Sequence, residues 1–198
     1  MDEIPCQVQQ RLAALPAGLQ AHVHRVRDIA VELAPRHGVD PRQAALGALA
    51  HDVARAMPAP ELLIQAARWG LPVGLVDRQV PLLLHGPVGA QLLRQEDGLT
   101  DQSVYRAVYW HSTAHPTLDA LGKVVFLADK LDPQKLPRYP YQPYLQELAR
   151  ADLDLAFLEF LTRELVSLVG RSEMVHRAMV EARNHFLAGI NQRRGPAQ

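Results

Sequence analysis

The sequence predicts one all-α domain, a bundle of packed helices. Apolar residues recur three and four positions apart along most of the chain, Gly, Pro and capping residues mark the segment boundaries, and no pair of alternating strands is evident. A chain of 198 residues with 48% hydrophobic composition is long enough for a sizeable core and is not generally disordered. Lys+Arg and Asp+Glu both number 21, so no global field draws the chain to nucleic acid or an anionic membrane. The single cysteine, Cys6, excludes an internal disulfide and a cysteine-rich zinc site. The first residues lack a basic stretch followed by an apolar secretory core, and a cytoplasmic location is expected. No uninterrupted apolar run approaches the ~20 residues that span a bilayer. The nearest, LDLAFLEFLTRELVSLVG at 153–170, is interrupted by charges and reads as a packed helix.

Residues 1–17 read as an N-terminal extension of weak helical periodicity, 18–190 as the single domain and 191–198 as a tail frayed at RRGPAQ. The first strong helix spans 17–37, with Val26, Ile29, Ala30 and Leu33 on one face, Pro35 loosening its last turn and Gly38 as the left-handed stop. The next opens with Asp40 as N-cap and Pro41 as first helical residue, and ends in ALAHDVARAM. A third helix fits 60–69, closed by Gly70. A Pro/Gly-containing connection leads to LLLHGPVGAQLL, where Pro87 begins a helix just after His85. Asp101 caps a helix through His111, and TLDALGKVVFLADKL at 117–131 follows with Thr117 as its cap. Its FLADK run suits a buried strand by composition, but the apolar period favours helix. After a Pro/Tyr-rich loop at 132–144, two long helices over 145–169 and 172–190 complete the domain.

Several polar residues fall on these apolar faces. His22 continues the stripe of Val26, Ala30 and Leu33; His51 follows Ala44 and Ala48; His111 continues Val104, Ala107 and Val108; Asp129 continues Leu121 and Val125. An ionised carboxylate is costly to bury alone, so a buried Asp is paired, hydrogen-bonded or metal-bound. Any one of these histidines, taken alone, reads as a hydrogen-bonded core imidazole, and an adjacent His51-Asp52 equally as a helix cap. Together with His85 and Asp52 they form a set of imidazoles and carboxylates suited to one or two divalent cations, with iron, manganese, cobalt or zinc favoured over calcium.

The order His22, His51-Asp52, Asp129 resembles the H…HD…D signature of the HD-domain superfamily of helical, metal-dependent phosphohydrolases. HVHRV (22–26), AHDVAR (50–55), LLHGPVGAQLL (83–93), YWHSTAHP (109–116), VVFLADKLDP (124–133) and VEARNHFL (180–187) are similar to the YqeK family, bacterial HD-domain hydrolases that split diadenosine tetraphosphate symmetrically. The similarity covers about residues 18–188 and implies an HD-domain helical bundle with a di-metal centre. His22, His51, Asp52 and Asp129 would hold one metal, and His85 and His111 the second, with Asp52 bridging. Iron is the metal the resemblance implies, with manganese or cobalt as alternatives, and the nucleophile would be a metal-activated hydroxide attacking a dinucleoside polyphosphate.

Asp52 and Arg55 are the candidate catalytic residues; Arg55, Thr113, Lys130, Lys135 and Arg138 are the candidate substrate contacts. This chain departs from the family at three of these places. Lysine is common where Arg55 stands, DPQK replaces an acidic-Pro-Gly-Arg segment so that Asp132 and Lys135 stand for its glutamate and arginine, and Ala114 replaces the glycine of a frequent HTTG. Tyr139, Tyr141 and Tyr144 could stack on an adenine but read better as packing for their own loop. His115 reads as a neighbour of the centre or a surface residue, and His24 lies on a different face from His22. His37 reads as a dipole partner at a helix C-terminus, and His176 and His185 as packing or surface residues. Two other functions fit the same motifs: a nucleotidase or guanosine-alarmone hydrolase of the HD type, and a non-catalytic nucleotide-binding regulatory module, against which the complete ligand set argues. No nucleic-acid or membrane partner is expected, and a homodimer through the C-terminal helices remains open.

Overall fold

The computed structural model describes residues 5–194, so the outer parts of the expected extension and tail, 1–4 and 195–198, lie outside the described residues. The described residues form helices and turns and no strand. In chain order the helices are α1 (Cys6–Ala14), α2 (Ala17–Leu33), α3 (Pro41–Ala50), α4 (Ala59–Arg68), α5 (Leu75–Gln79), α6 (His85–Gln95), α7 (Gln102–Trp110), α8 (Ala120–Lys130), α9 (Gln142–Ala151), α10 (Leu153–Gly170) and α11 (Arg177–Arg194). Short 3-10 turns at Ala34–His37, Pro81–Leu84 and Pro133–Lys135 connect them.

The axis of the bundle is α8, buried from Leu121 through Lys130 except at the half-buried Lys123, and packed against α2, α3, α7 and α10. Phe126 stands edge-on to Phe157 and Phe160 of α10, with ring centroids 4.9 and 5.4 Å away, and these rings fill the centre of the largest core. A second core joins Val8, Leu12 and Leu15 of the N-terminal segment to Leu49, Ala50 and Leu93, so α1 is seated on α3 and α6. A third lies between α4, α6 and the Pro81–Leu84 turn. No helix among the described residues is long and apolar enough to cross a membrane.

Most boundaries follow the local chemistry read from the sequence. Asp40 caps α3 by accepting from the Arg42 N–H, Asp101 caps α7 through the Ser103 and Val104 N–H groups, and Gly38 takes the left-handed φ of 66° after the Pro35-containing 3-10 turn. Four boundaries differ. α8 is capped by Asp119, which accepts from Gly122 N–H, and not by Thr117, whose hydroxyl is 2.8 Å from His115 Nδ1. The expected helix over 145–169 is two helices: Asp152 leaves helical geometry at φ −147° and caps α10 through the Leu155 N–H. α6 starts at His85, two residues before Pro87, because proline is tolerated anywhere in a first turn. Finally, α3 stops at Ala50, and residues 51–57 continue as three-residue turns, Val53 to Ala50, Arg55 to Asp52 and Met57 to Ala54.

α6 and α7 cross in close contact at Gly86. A Cβ there would stand 2.7 Å from the Tyr109 carbonyl oxygen and 3.1 Å from that of Val108. Neither backbone atom can rotate away, so Gly86→Ala must push the helices apart, at a cost of about 1–3 kcal/mol. A lowered melting temperature is the expected result; an unchanged melt would refute the close packing.

Candidate metal centre and active-site cavity

Three histidines are presented by one repeated local device. His51 and His111 occupy the C-caps of α3 and α7, and His85 opens α6 directly after a 3-10 turn. Each Nδ1–H donates to the carbonyl three residues back: Ala48 at 2.6 Å, Val108 at 2.7 Å and Leu82 at 2.5 Å. A carbonyl only accepts, so these bonds set the tautomer and leave each Nε2 as an outward lone pair; the Leu82 carbonyl also takes the His85 backbone N–H. His22 reaches the same state differently: its Nδ1–H donates to Asp132 Oδ2 at 2.5 Å, and Asp132 is itself gripped by the Arg25 guanidinium at 2.7 and 2.9 Å.

The four Nε2 atoms converge on Asp52. Its Oδ1 lies 3.0 Å from His85 Nε2 and 3.5 Å from His111 Nε2, while Oδ2 lies 3.5 Å from His51 Nε2 and 3.7 Å from His22 Nε2. Asp129 Oδ1 closes the second pair, 3.0 Å from His22 Nε2 and 3.6 Å from His51 Nε2. All six residues are buried. Burial opposes the charge on Asp52, yet in the metal-free protein the charged form of His51, favoured above its ordinary value, outweighs it and holds the carboxyl well below its ordinary range. Burial likewise opposes ionisation of Asp129, and Lys130 and Lys135 outweigh it. Burial pushes His111 down to about 3, so its ring is neutral near pH 7.

This donor set fits divalent cations. Among the described residues His51 Nε2 is buried with no hydrogen-bond partner, and His85 and His111 bring two Nε2 atoms within 2.8 Å although both rings carry their proton on Nδ1. Two lone pairs so placed repel each other unless a proton or a metal ion lies between or beside them. The triads His22–His51–Asp129 and His51–Asp52–His111 each have ligand atoms close enough for one ion.

A cavity of about 670 Å³ opens in front of Asp52, His85, His111 and Asp129. Arg55, Thr113, Lys130, Lys135 and Arg138 all line it. The Arg55 side chain makes no ion pair or hydrogen bond among the described residues. Thr113 Oγ1 is buried without a hydrogen-bond partner among the described residues. Its placement depends on Ala114, which takes a left-handed φ of 61° and donates its N–H to the Trp110 carbonyl, turning the chain where a glycine would do so without strain. Lys130 is buried and donates to Asp129 Oδ2 and the His111 carbonyl, both at 2.7 Å. Lys135 pairs with Asp129, and Arg138 with Glu164.

Other residues stand where sequence reasoning did not put them. Asp132, read as the stand-in for a family glutamate, is the buried partner of His22. No helical spacing marked it, because α8 ends at Lys130, before Asp132. His176, read as packing or surface, lines the cavity and lies 3.5 Å from Asp77 Oδ1; Glu164 also lines it, and no local signal marked either residue. Tyr139 packs on Phe160 of α10, with centroids 5.2 Å apart, and also lines the cavity, while Tyr141 packs on Tyr139 at 6.0 Å. His37 bonds the Ala149 carbonyl, His115 stacks on Trp110, and His24 and His185 are exposed.

An all-helical bundle that gathers a His/His-Asp/Asp set at one cavity defines the HD class, and residues 19–134 match the HD domain family. The chain belongs to that family, and within it to the YqeK-like group. It is 32% identical over 154 residues, 78% of this chain and 81% of the relative, to the Bacillus subtilis protein named bis(5'-nucleosyl)-tetraphosphatase, symmetrical. A Halalkalibacterium halodurans protein of the same name is 28% identical, over 84% of this chain and 87% of its own length. Among solved structures, a Clostridium acetobutylicum protein described as a predicted HD superfamily hydrolase involved in NAD metabolism superposes with a TM-score of 0.87 at 26% identity, covering 92% of this chain and 96% of the other.

Proposed function

We propose that the protein is a metal-dependent phosphohydrolase that cleaves diadenosine tetraphosphate symmetrically into two ADP. The observation that carries this reading is the convergence of four imidazole Nε2 atoms on the two oxygens of Asp52 at the wall of a large cavity. The shared name of relatives aligned over most of the chain supports the choice of substrate. His22, His51, Asp52 and Asp129 would hold one divalent cation and His85 and His111 the other, with Asp52 shared; iron is the expected metal, and manganese or cobalt suit the same donors. When bound, the cations supply an activated water and neutralise phosphate charge.

The chain's own side chains supply the rest. Asp52 divides one ionised carboxylate between the two histidine pairs. Arg55, with no partner among the described residues, offers a planar fork to non-bridging phosphate oxygens, and Thr113 Oγ1 offers a hydroxyl to the same ligand. Lys130 spends donors on Asp129 and the His111 carbonyl, holding a carboxylate and a helix end in register while its charge stays in the cavity wall. Lys135 and Arg138 continue that cationic row. A tetraphosphate bound with its central anhydride at Asp52 leaves one ADP unit on each side, which is the symmetrical outcome.

Anaerobic incubation of metal-defined protein with diadenosine tetraphosphate, with products separated by chromatography, tests this. ADP alone is expected. AMP plus ATP would overturn the cleavage position, and no turnover with iron, manganese or cobalt would overturn the reaction.

Asp132 acts one layer out. Asp132→Ala frees the His22 ring to change tautomer and orientation, and the expected result is a 10- to 100-fold loss of metal affinity, read by competition with a chelator. In metal-free protein Asp132 also has a pH signature. Burial opposes its charge, but Arg25 and His22 outweigh this and lower it from 3.8 to about 2. Its contribution to stability is complete above 3.8 and is lost as pH falls through about 2. Asp132→Asn should therefore flatten the acid limb of a stability-versus-pH curve.

A further inference from the structure

α10 presents Phe160, Glu164 and Leu168 to the cavity at four-residue spacing, one stripe of its surface. The outer two are apolar, and Tyr139, Met174 and Met179 extend the apolar wall around them. Glu164 is only 7% exposed. Its Oε1 accepts from Arg138 Nη2 at 2.8 Å, and among the described residues Oε2 has no hydrogen bond. The cavity's other glutamate, Glu173, is exposed and held by Arg171.

A buried carboxylate is an unexpected wall for a cavity that admits a polyphosphate, because like charges repel strongly where water is scarce. The cationic row separates it from the metal centre: Lys135 contacts Asp129, Arg138 donates its backbone N–H to the Lys135 carbonyl, and Arg138 then reaches Glu164. Phosphates would meet Asp129, Lys135 and Arg138 in turn, and Glu164 lies beyond them in the apolar part. The only donors a nucleotide can offer there belong to its nucleoside.

We propose that Glu164 is a specificity-determining residue whose free carboxylate oxygen accepts a hydrogen bond from the nucleoside of the bound half-substrate, from a base N–H or a ribose hydroxyl. The inference rests on the nucleoside-polyphosphate function proposed above. Its selective effect is to separate nucleotides from bare polyphosphates, which would gain nothing from Glu164 and be repelled by it.

The test is calorimetric binding of ADP and of pyrophosphate to metal-loaded wild-type and Glu164→Gln protein. Pyrophosphate carries the phosphates of ADP without the nucleoside, and its binding also reports an intact site and fold. ADP affinity should fall about 10- to 100-fold in the variant while pyrophosphate affinity is unchanged or improved. The loss for diadenosine tetraphosphate should appear in KM with kcat little altered. Equal losses for ADP and pyrophosphate, or no loss for either, would overturn the proposal. Repeating the comparison with 2',3'-dideoxy-ADP, which lacks both ribose hydroxyls, separates the donors: a penalty that vanishes assigns the ribose, one that persists assigns the base. Wild-type protein that binds ADP better than pyrophosphate yet leaves diadenosine tetraphosphate uncut would sink the proposed reaction and spare the role of Glu164.

Discussion

Asp52→Ala is expected to abolish binding of at least one cation and to lower ADP formation by roughly a thousandfold or more, equivalent to about 4 kcal/mol of transition-state stabilisation. Asp52 is the one residue that faces both histidine pairs, each of its oxygens meeting two Nε2 atoms at 3.0–3.7 Å. Removing it leaves four converging lone pairs with no shared anion, so neither position keeps its full charge. The fold should survive, because the lost side chain is polar, lies at the cavity wall and takes no part in the apolar cores. Metal content by mass spectrometry, product formation and a melting curve on the same sample check the three statements together. A variant with full metal content and more than a tenth of wild-type activity would show that Asp52 does not bridge.

Phe126→Ala should produce the largest loss of stability, about 3–5 kcal/mol. The ring is fully buried on the central helix against Phe157 and Phe160. It also lies 4.3 Å from Lys130 Nζ and stands one helical turn before Asp129. Truncation therefore leaves a cavity beneath the turn that aims a proposed ligand and its lysine partner. For a chain of this size the melting temperature should drop by roughly 6–20 °C. Phe126→Leu, which keeps most of the volume, should lose far less. A drop below about 2 °C for the alanine variant would mean that this core relaxes around the gap.

Much of the site was legible because a helix face is a local property. His22, His51, His111 and Asp129 were placed inward by three- and four-residue spacing alone, and each is buried. The caps Asp40 and Asp101 were legible for the same reason, since a cap bonds N–H groups two or three residues away. Thr117 failed as a cap because two candidates, Thr117 and Asp119, lie within one turn and only the backbone path after Pro116 selects between them. The break at Asp152 was hidden by an apolar rhythm that runs through it.

The sequence by itself determined an all-helical chain, most of its boundaries, and the inward direction of an imidazole and carboxylate set that burial makes costly without a cation. Tertiary structure alone decided that four Nε2 atoms meet at Asp52, that His22 is oriented by Asp132 from 110 residues away, and that Glu164 and His176 reach the same cavity. The physical reason is range. Periodicity and capping arise from contacts within a turn or two, whereas the angle and distance at which helices cross depend on how side chains from remote segments interlock.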